Sequence, residues 1–201
     1  LFRSSAASDV YKRQILETIK KKVRNKSLEK ENILITAGAT REYMDPVRFI
    51  SNPSTGIVGY CMAEEFQSKG AKVNIVAGYN DVNFEKFDSY KKITTAEEMK
   101  NEISKNLNKY TVVIKAAAVG DYRFSKRVNK KIKKTDGVLK MELEENIDVL
   151  KYIGENKKEN QIVVGFAAET EKIVENAKKK IISKNLDPVS YTHLRAHETG
   201  Y

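Results

Sequence analysis

The run Asn32-Ile33-Leu34-Ile35-Thr36-Ala37-Gly38 (NILITAG) decides how the rest of this chain is read. Its apolar residues are nearly consecutive rather than alternating, as in a strand buried on both faces, and they stop at a glycine. The same pattern recurs. KVNIVAG predicts a strand at Val73 to Ala77, TVVIKAAAV a third from Thr111 to Val119, and QIVVGFAAET a fourth from Gln161 to Thr170. Helical patterns lie between them. One covers about Ile57 to Ser68 and stops at Lys69-Gly70. A second, TTAEEMKNEISKNLN, offers Thr95 as N-cap with Glu98 three residues on. Two more span Asp148 to Lys157 and Ile173 to Ser183, and the alternation at Val138 to Leu143 predicts a short extra strand. Strands and helices that alternate, with strands apolar on both faces, imply a three-layer α/β/α fold with a mostly parallel sheet.

Such sheets bind ligands beyond the carboxyl ends of their strands. Three loops follow strand ends here: AGATRE, AAAVGDYR and GFAAETE, all rich in the small residues that let a ligand approach the backbone. A fourth stretch, VRFISNPSTGIVGY from Val47 to Tyr60, leads into the first helix.

The 201 residues suffice for one core, with 40% hydrophobic and 32% charged residues. No run approaches a membrane span, and the first residues lack the order of a signal peptide. The single cysteine, Cys61, has no internal partner and reads as a small core residue; a reducing cytoplasm is the expected location. A net charge of +10 raises nucleic acid as a partner, but the lysines are scattered over helices and no nucleic-acid motif accompanies them. A site for phosphorylated small molecules draws on the same positive field.

Both ends differ in character from what lies between. GATGTGTATAAGAGACAG encodes Asp9 to Gln14, and its reverse complement in another frame encodes Val189 to His193. Residues 1–14 and 188–201 are therefore expected to be translated sequencing-adapter DNA, 15–31 a basic linker helix, and 32–187 a domain truncated at its C-terminus. Both histidines, His193 and His197, fall in the final segment, which leaves no histidine for catalysis or zinc binding in the rest.

The motifs ITAGATRE…DPVRFISNPSTG, AAAVGDYR, KIKK, NIDVL and VVGFAAET occur in an order and spacing similar to phosphopantothenoylcysteine synthetase. That enzyme is commonly the C-terminal half of a bifunctional phosphopantothenoylcysteine decarboxylase and phosphopantothenate–cysteine ligase. The resemblance covers about Asn32 to Asp187. It implies a Rossmann-like fold, usually a homodimer or larger homo-oligomer. The implied enzyme joins 4′-phosphopantothenate to L-cysteine with CTP and Mg2+, through an acyl-cytidylate. It implies no nucleic-acid or membrane partner, no protein-held metal, and FMN only in a decarboxylase domain upstream.

The resemblance also assigns roles. Asn52 and Lys131 are the implied catalytic residues, Asn52 engaging the acyl-cytidylate and Lys131 the triphosphate from a mobile lid. Ala116, Ala117, Asp121, Lys131, Asn146, Ile147, Asp148, Val149, Phe166, Lys180 and Lys184 are the implied nucleotide contacts. Gly56 and Gly59 look like glycines for close packing and phosphate approach at a helix start. Arg48 stays open between a substrate phosphate and a subunit contact. Two departures stand out: Gly56-Ile57-Val58-Gly59 replaces the usual Gly-Lys-Met-Gly, and Pro53 replaces a commoner histidine. On the residues alone, Asn52 reads as a turn former before proline rather than a catalytic group, and Lys131 as one surface lysine among several. A noncatalytic nucleotide-binding fragment is the alternative reading. An NAD-dependent reductase is disfavoured, because AGATRE lacks the full glycine fingerprint.

Overall fold

A computed structural model describes residues 28–134, 137–169, 173–187 and 189–193. Its strands are β1 (Asn32–Ala37), β2 (Arg41–Tyr43), β3 (Phe49–Ser51), β4 (Lys72–Ala77), β5 (Ser89–Lys92), β6 (Val112–Lys115), β7 (Tyr122–Phe124), β8 (Leu143–Glu145), β9 (Ile162–Glu169) and β10 (Val189–His193). Its helices are α1 (Ile57–Ser68), α2 (Ala96–Asn106), α3 (Val149–Asn156) and α4 (Ile173–Ser183). Most of the expected linker helix lies outside the described residues; Leu28–Lys30 form one 3-10 turn.

Six strands form one sheet in the order β10-β9-β6-β1-β4-β5, and every pairing in it is parallel. The chain runs outward from β1 to β5, then returns to β6 and runs outward on the other side. That reversal is the Rossmann-like order, with its switch point between β1 and β6. Ile35 stands in register with Ile75 on one side and Ile114 on the other. With Ile33, these pack under Met62 and Phe66 of α1 in one core cluster. On the opposite face Leu34, Val113 and Val163 meet Met99 and Ile103 of α2 and Ile153 of α3.

The helix boundaries follow their signals. Thr95 Oγ1 accepts the Glu98 amide at 3.2 Å, and Glu98 Oε2 returns to the Thr94 amide at 2.6 Å. The stop after α1 is made by Gly70, at φ 85°, with the Ala71 amide donating back to Phe66 O at 3.1 Å. Gly59 lets α1 lie against β1: a Cβ there would come within 2.6 Å of the Ala37 Cβ. Cys61, expected in the core, is only partly buried.

The strands that periodicity does not show are those without a buried apolar face. β5, SYKK, is mostly exposed at the sheet edge; β2–β3 and β7–β8 are separate antiparallel ribbons. The extra strand expected at Val138 to Leu143 forms instead at Leu143–Glu145, where all three residues are exposed. Residues 189–193, expected to be foreign, pair with β9 from Gly165 to Glu169. Backbone pairing does not depend on side-chain identity, and Val, Tyr and Thr favour extended structure.

Candidate nucleotide site

The loops at the switch point are stitched to one another through their backbones. Thr36, wholly buried, accepts the Ala116 amide on its carbonyl (3.1 Å) and the Ala117 amide on Oγ1 (3.3 Å). The Thr40 amide donates to Ala118 O, its Oγ1 accepts the Gly120 amide at 3.0 Å, and its carbonyl accepts the Ser51 hydroxyl at 2.7 Å. Asn52 Nδ2 donates to Val119 O at 3.3 Å, joining the β3–α1 loop to the loop after β6.

Beside the carboxyl ends of β6 and β9 lies a cavity of about 430 Å³. Eight of the expected nucleotide residues line it: Asp121, Asn146, Ile147, Asp148, Val149, Phe166, Lys180 and Lys184. They arrive from four places: the loop after β6, the turn into α3, β9, and α4 with the residue beyond it. Asn146 shapes the wall, donating from Nδ2 to Gly120 O (3.0 Å) and accepting the Ile147 amide (2.9 Å). Asp148 is the N-cap of α3, accepting the Lys151 amide at 2.9 Å, and pairs with Lys184 at 2.7 Å. Burial opposes its ionisation, but the Lys184 ammonium and Lys151 amide outweigh that and hold its carboxyl below the usual range. Asp121 has no hydrogen bond or ion pair from its carboxylate to a described residue.

The remaining expected residues stand apart from this lining. The Ala116 and Ala117 amides are committed to Thr36, so these residues brace the sheet end instead of facing the cavity. Asn52 reaches the rim only through Val119. Lys131 is exposed, and its neighbour Ile132 is fixed: its amide donates to Asp45 Oδ2 at 3.1 Å and its carbonyl accepts Arg48 Nη2 at 2.7 Å. Asp45 is wholly buried and also accepts the Val47 and Arg48 amides, each at 2.8 Å. Burial alone would raise its pKa; those amides and the Arg48 guanidinium hold it far below the ordinary value. Arg48, left open by sequence, thus joins β3 to the segment that carries Lys131. Gly56 is the left-handed residue that starts α1, at φ 78°.

A family model described as the DNA/pantothenate metabolism flavoprotein C-terminal domain matches residues 28–201. The chain belongs to this family. The coenzyme A biosynthesis bifunctional protein CoaBC of Borreliella burgdorferi is 42% identical over 170 residues, covering 84% of this chain and 44% of the relative. The Bacillus subtilis protein of that name is 40% identical over 175 residues, covering 87% and 43%. A crystal structure of the C-terminal domain of CoaBC superposes with a TM-score of 0.72 at 37% identity, over 83% of this chain and 79% of that one. The chain spans less than half the length of these curated relatives.

Within this flavoprotein C-terminal domain, the cavity lining also includes residues that the motifs did not assign: Val119, Gly120, Tyr122, Glu145, Leu150 and, at the end of β6, Lys115. Burial, then the nearby Lys180 and Lys184, push its amine down to about 8, against the opposing pull of Asp148 and Asp121. The signal was present as a lysine closing the apolar run Val112-Val113-Ile114. No helix among the described residues is long and apolar enough to cross a membrane, and no group of three or more potential metal ligands occurs among them.

Proposed function

We propose that this domain serves coenzyme A biosynthesis as the ligase that joins 4′-phosphopantothenate to L-cysteine at the expense of CTP. One observation carries the reading: eight residues assigned to the nucleotide by motif, spread from Asp121 to Lys184, line a single cavity. The names of the relatives support the pathway, and the motifs support the reaction.

The chemistry has two steps. A carboxylate oxygen of 4′-phosphopantothenate attacks the α-phosphorus of CTP, and pyrophosphate leaves. The cysteine amine then attacks the acyl carbon, CMP leaves with the bonding pair, and the amine loses a proton. Neither step needs a histidine. Both need the reactants aligned and cations near spreading negative charge. Lys180 and Lys184 supply cations at the cavity wall, and Asp148 fixes the position of Lys184. Asp121, with its carboxylate uncommitted among described residues, suits a nucleotide-borne Mg2+, which typically takes only one or two protein carboxylates. That ion would neutralise phosphate charge. Asn52, held at the rim, offers a donor and an acceptor to the acyl-cytidylate, and Lys131 a mobile charge for the departing pyrophosphate.

A binding-only fragment is favoured by one observation: Asn52 and Lys131 lie outside the cavity lining. The deciding assay is pyrophosphate release by the full chain with CTP, Mg2+ and 4′-phosphopantothenate, with and without cysteine. CTP should raise the melting temperature more than ATP does, and pyrophosphate should appear. Binding without pyrophosphate would favour the fragment reading; equal or greater stabilisation by ATP would remove the CTP assignment.

A further inference from the structure

Lys115 is the cationic group of the cavity that the proposed mechanism leaves unused. It follows Val113 on the sheet face that packs under α2 and α3. Its register neighbours are Thr36 on β1 and Gly165 on β9. Gly165 has no side chain, and a Cβ there would come within 3.0 Å of Leu150 and 3.1 Å of Leu186. Leu150 and Leu186 occupy the space over that glycine, so the sheet beside Lys115 on that side is covered by apolar side chains, and Lys115 itself lines the cavity. No hydrogen bond or ion pair from its ammonium to a described residue is present, although Asp148 and Asp121 lie near enough to act on it through space. Lys115 is partly buried, and a partly desolvated ammonium that lines a cavity without a hydrogen bond to a described residue can take its partner from whatever fills that cavity.

We propose that Lys115 is a further ligand-binding residue of this site, donating from its ammonium to an anionic oxygen of the bound nucleotide. The inference rests on the nucleotide reading above and adds a third cation to Lys180 and Lys184.

It has a pH signature. The charged groups around Lys115 are Lys180 and Lys184 beside Asp121, Asp148 and the cavity residue Glu145. The free amine titrates at about 8. A bound phosphate oxygen stabilises the ammonium, so binding above that pH takes up a proton and affinity falls as pH rises. The ligand does not confuse this, because the second ionisation of a phosphate, near pH 6, is complete there.

The test titrates the full chain with CTP and Mg2+ at pH 7 and pH 9 by calorimetry, comparing wild type, Lys115→Met and Lys115→Arg. Wild-type affinity should fall about ten-fold between the two values. Lys115→Met should bind about 10- to 100-fold more weakly at pH 7, the loss of one charge-assisted hydrogen bond, with a flat profile. Lys115→Arg, always charged, should also be flat but retain most of the affinity. Unchanged affinity in Lys115→Met, or the wild-type pH fall persisting in it, overturns the proposal. A second arm needs no CTP. Pyridoxal 5′-phosphate is an anionic aldehyde: a free amine attacks its carbonyl carbon, water leaves, and borohydride delivers hydride to the imine to fix a secondary amine. Peptide mapping at pH 8 should find Lys115 modified ahead of the exposed Lys69, and protected by tripolyphosphate. Absence of that label overturns the proposal outright. If wild type binds no CTP at either pH, the CTP reading fails, and the labelling arm alone decides the role of Lys115.

Discussion

Lys115 puts a cation at the end of the apolar run Val112-Val113-Ile114, and the fold bears the cost. Its amine titrates at 10.5 when unfolded and at about 8 in the fold. Between those values the unfolded chain holds more protons, so stability rises with pH across that window; below pH 8 the full cost applies. The cost is on the order of 3 kcal/mol. Lys115→Met should therefore be more stable than wild type at pH 7.5, with the advantage shrinking towards pH 10.5. Urea unfolding at both values measures it; a difference that does not change with pH would show that the amine is not desolvated. Asn52 and Lys131 should fail at different steps. Lys131→Ala should slow pyrophosphate release, whereas Asn52→Ala should still consume CTP while forming little cysteine adduct, each by about 10²–10³. Near wild-type adduct formation in Asn52→Ala would reduce that residue to a loop tie to Val119. These two roles came from motif matching. The cavity residues Asp121, Asn146 and Lys184 were legible in the same way, whereas Lys115 was not, because no motif marks it. Arg48 was open for a different reason: its bond to the Ile132 carbonyl spans 84 residues, a pairing that no local pattern marks.

At the scale of elements, legibility followed burial. β1, β4, β6 and β9 carry apolar faces, and their runs could be read directly. β5 and the two ribbons have exposed residues, so only pairing defines them. Two elements also position site residues that they do not themselves carry. In α3, a Cβ on Gly154 would lie 1.8 Å from the Lys184 carbonyl oxygen, and Asn185 Nδ2 donates to Gly154 O at 2.9 Å. Helix α3 thus presses on the backbone of a cavity lysine. Gly154→Ala should destabilise by about 1–3 kcal/mol through overpacking, and it should weaken CTP binding as Lys184 shifts; thermal unfolding with and without CTP separates the two effects. The Asp45–Arg48 clamp acts on the segment of Lys131. A carboxylate with a depressed folded pKa contributes above its unfolded value of 3.8 and is lost as pH falls below it. Asp45→Asn should expose the stretch around Lys126 to Lys134 to trypsin at pH 7. The wild type should show the same exposure to an acid-active protease only below about pH 4, and equal cleavage of both proteins at pH 7 would mean that the clamp does not hold the segment.

For the molecule as a whole, the informative feature is the edge made by residues 189–193. Residues 188–201 are expected from the sequence to be foreign, yet β10 closes one side of the sheet against β9. The two observations are compatible if the slot is filled by backbone alone. The core clusters draw on β1, β4, β6, β9 and the helices α1, α2 and α3. Val163 and Val164 of β9 are wholly buried within them. Deleting 188–201 should therefore leave a folded domain, but it turns β9 into an open edge whose unpaired amides and carbonyls can template pairing with another copy. The expected outcome is a cooperative unfolding transition that persists, together with self-association that grows with protein concentration. A second variant isolates the backbone contribution. Thr192→Pro removes one donor and blocks continuous pairing while leaving the rest of the segment in place, so it should associate as the deletion does. Light scattering across a concentration series, beside circular dichroism on heating, reads both quantities. If the deletion abolishes the cooperative transition, β10 is part of what holds the domain together. If neither variant associates, the edge at β9 is protected without it.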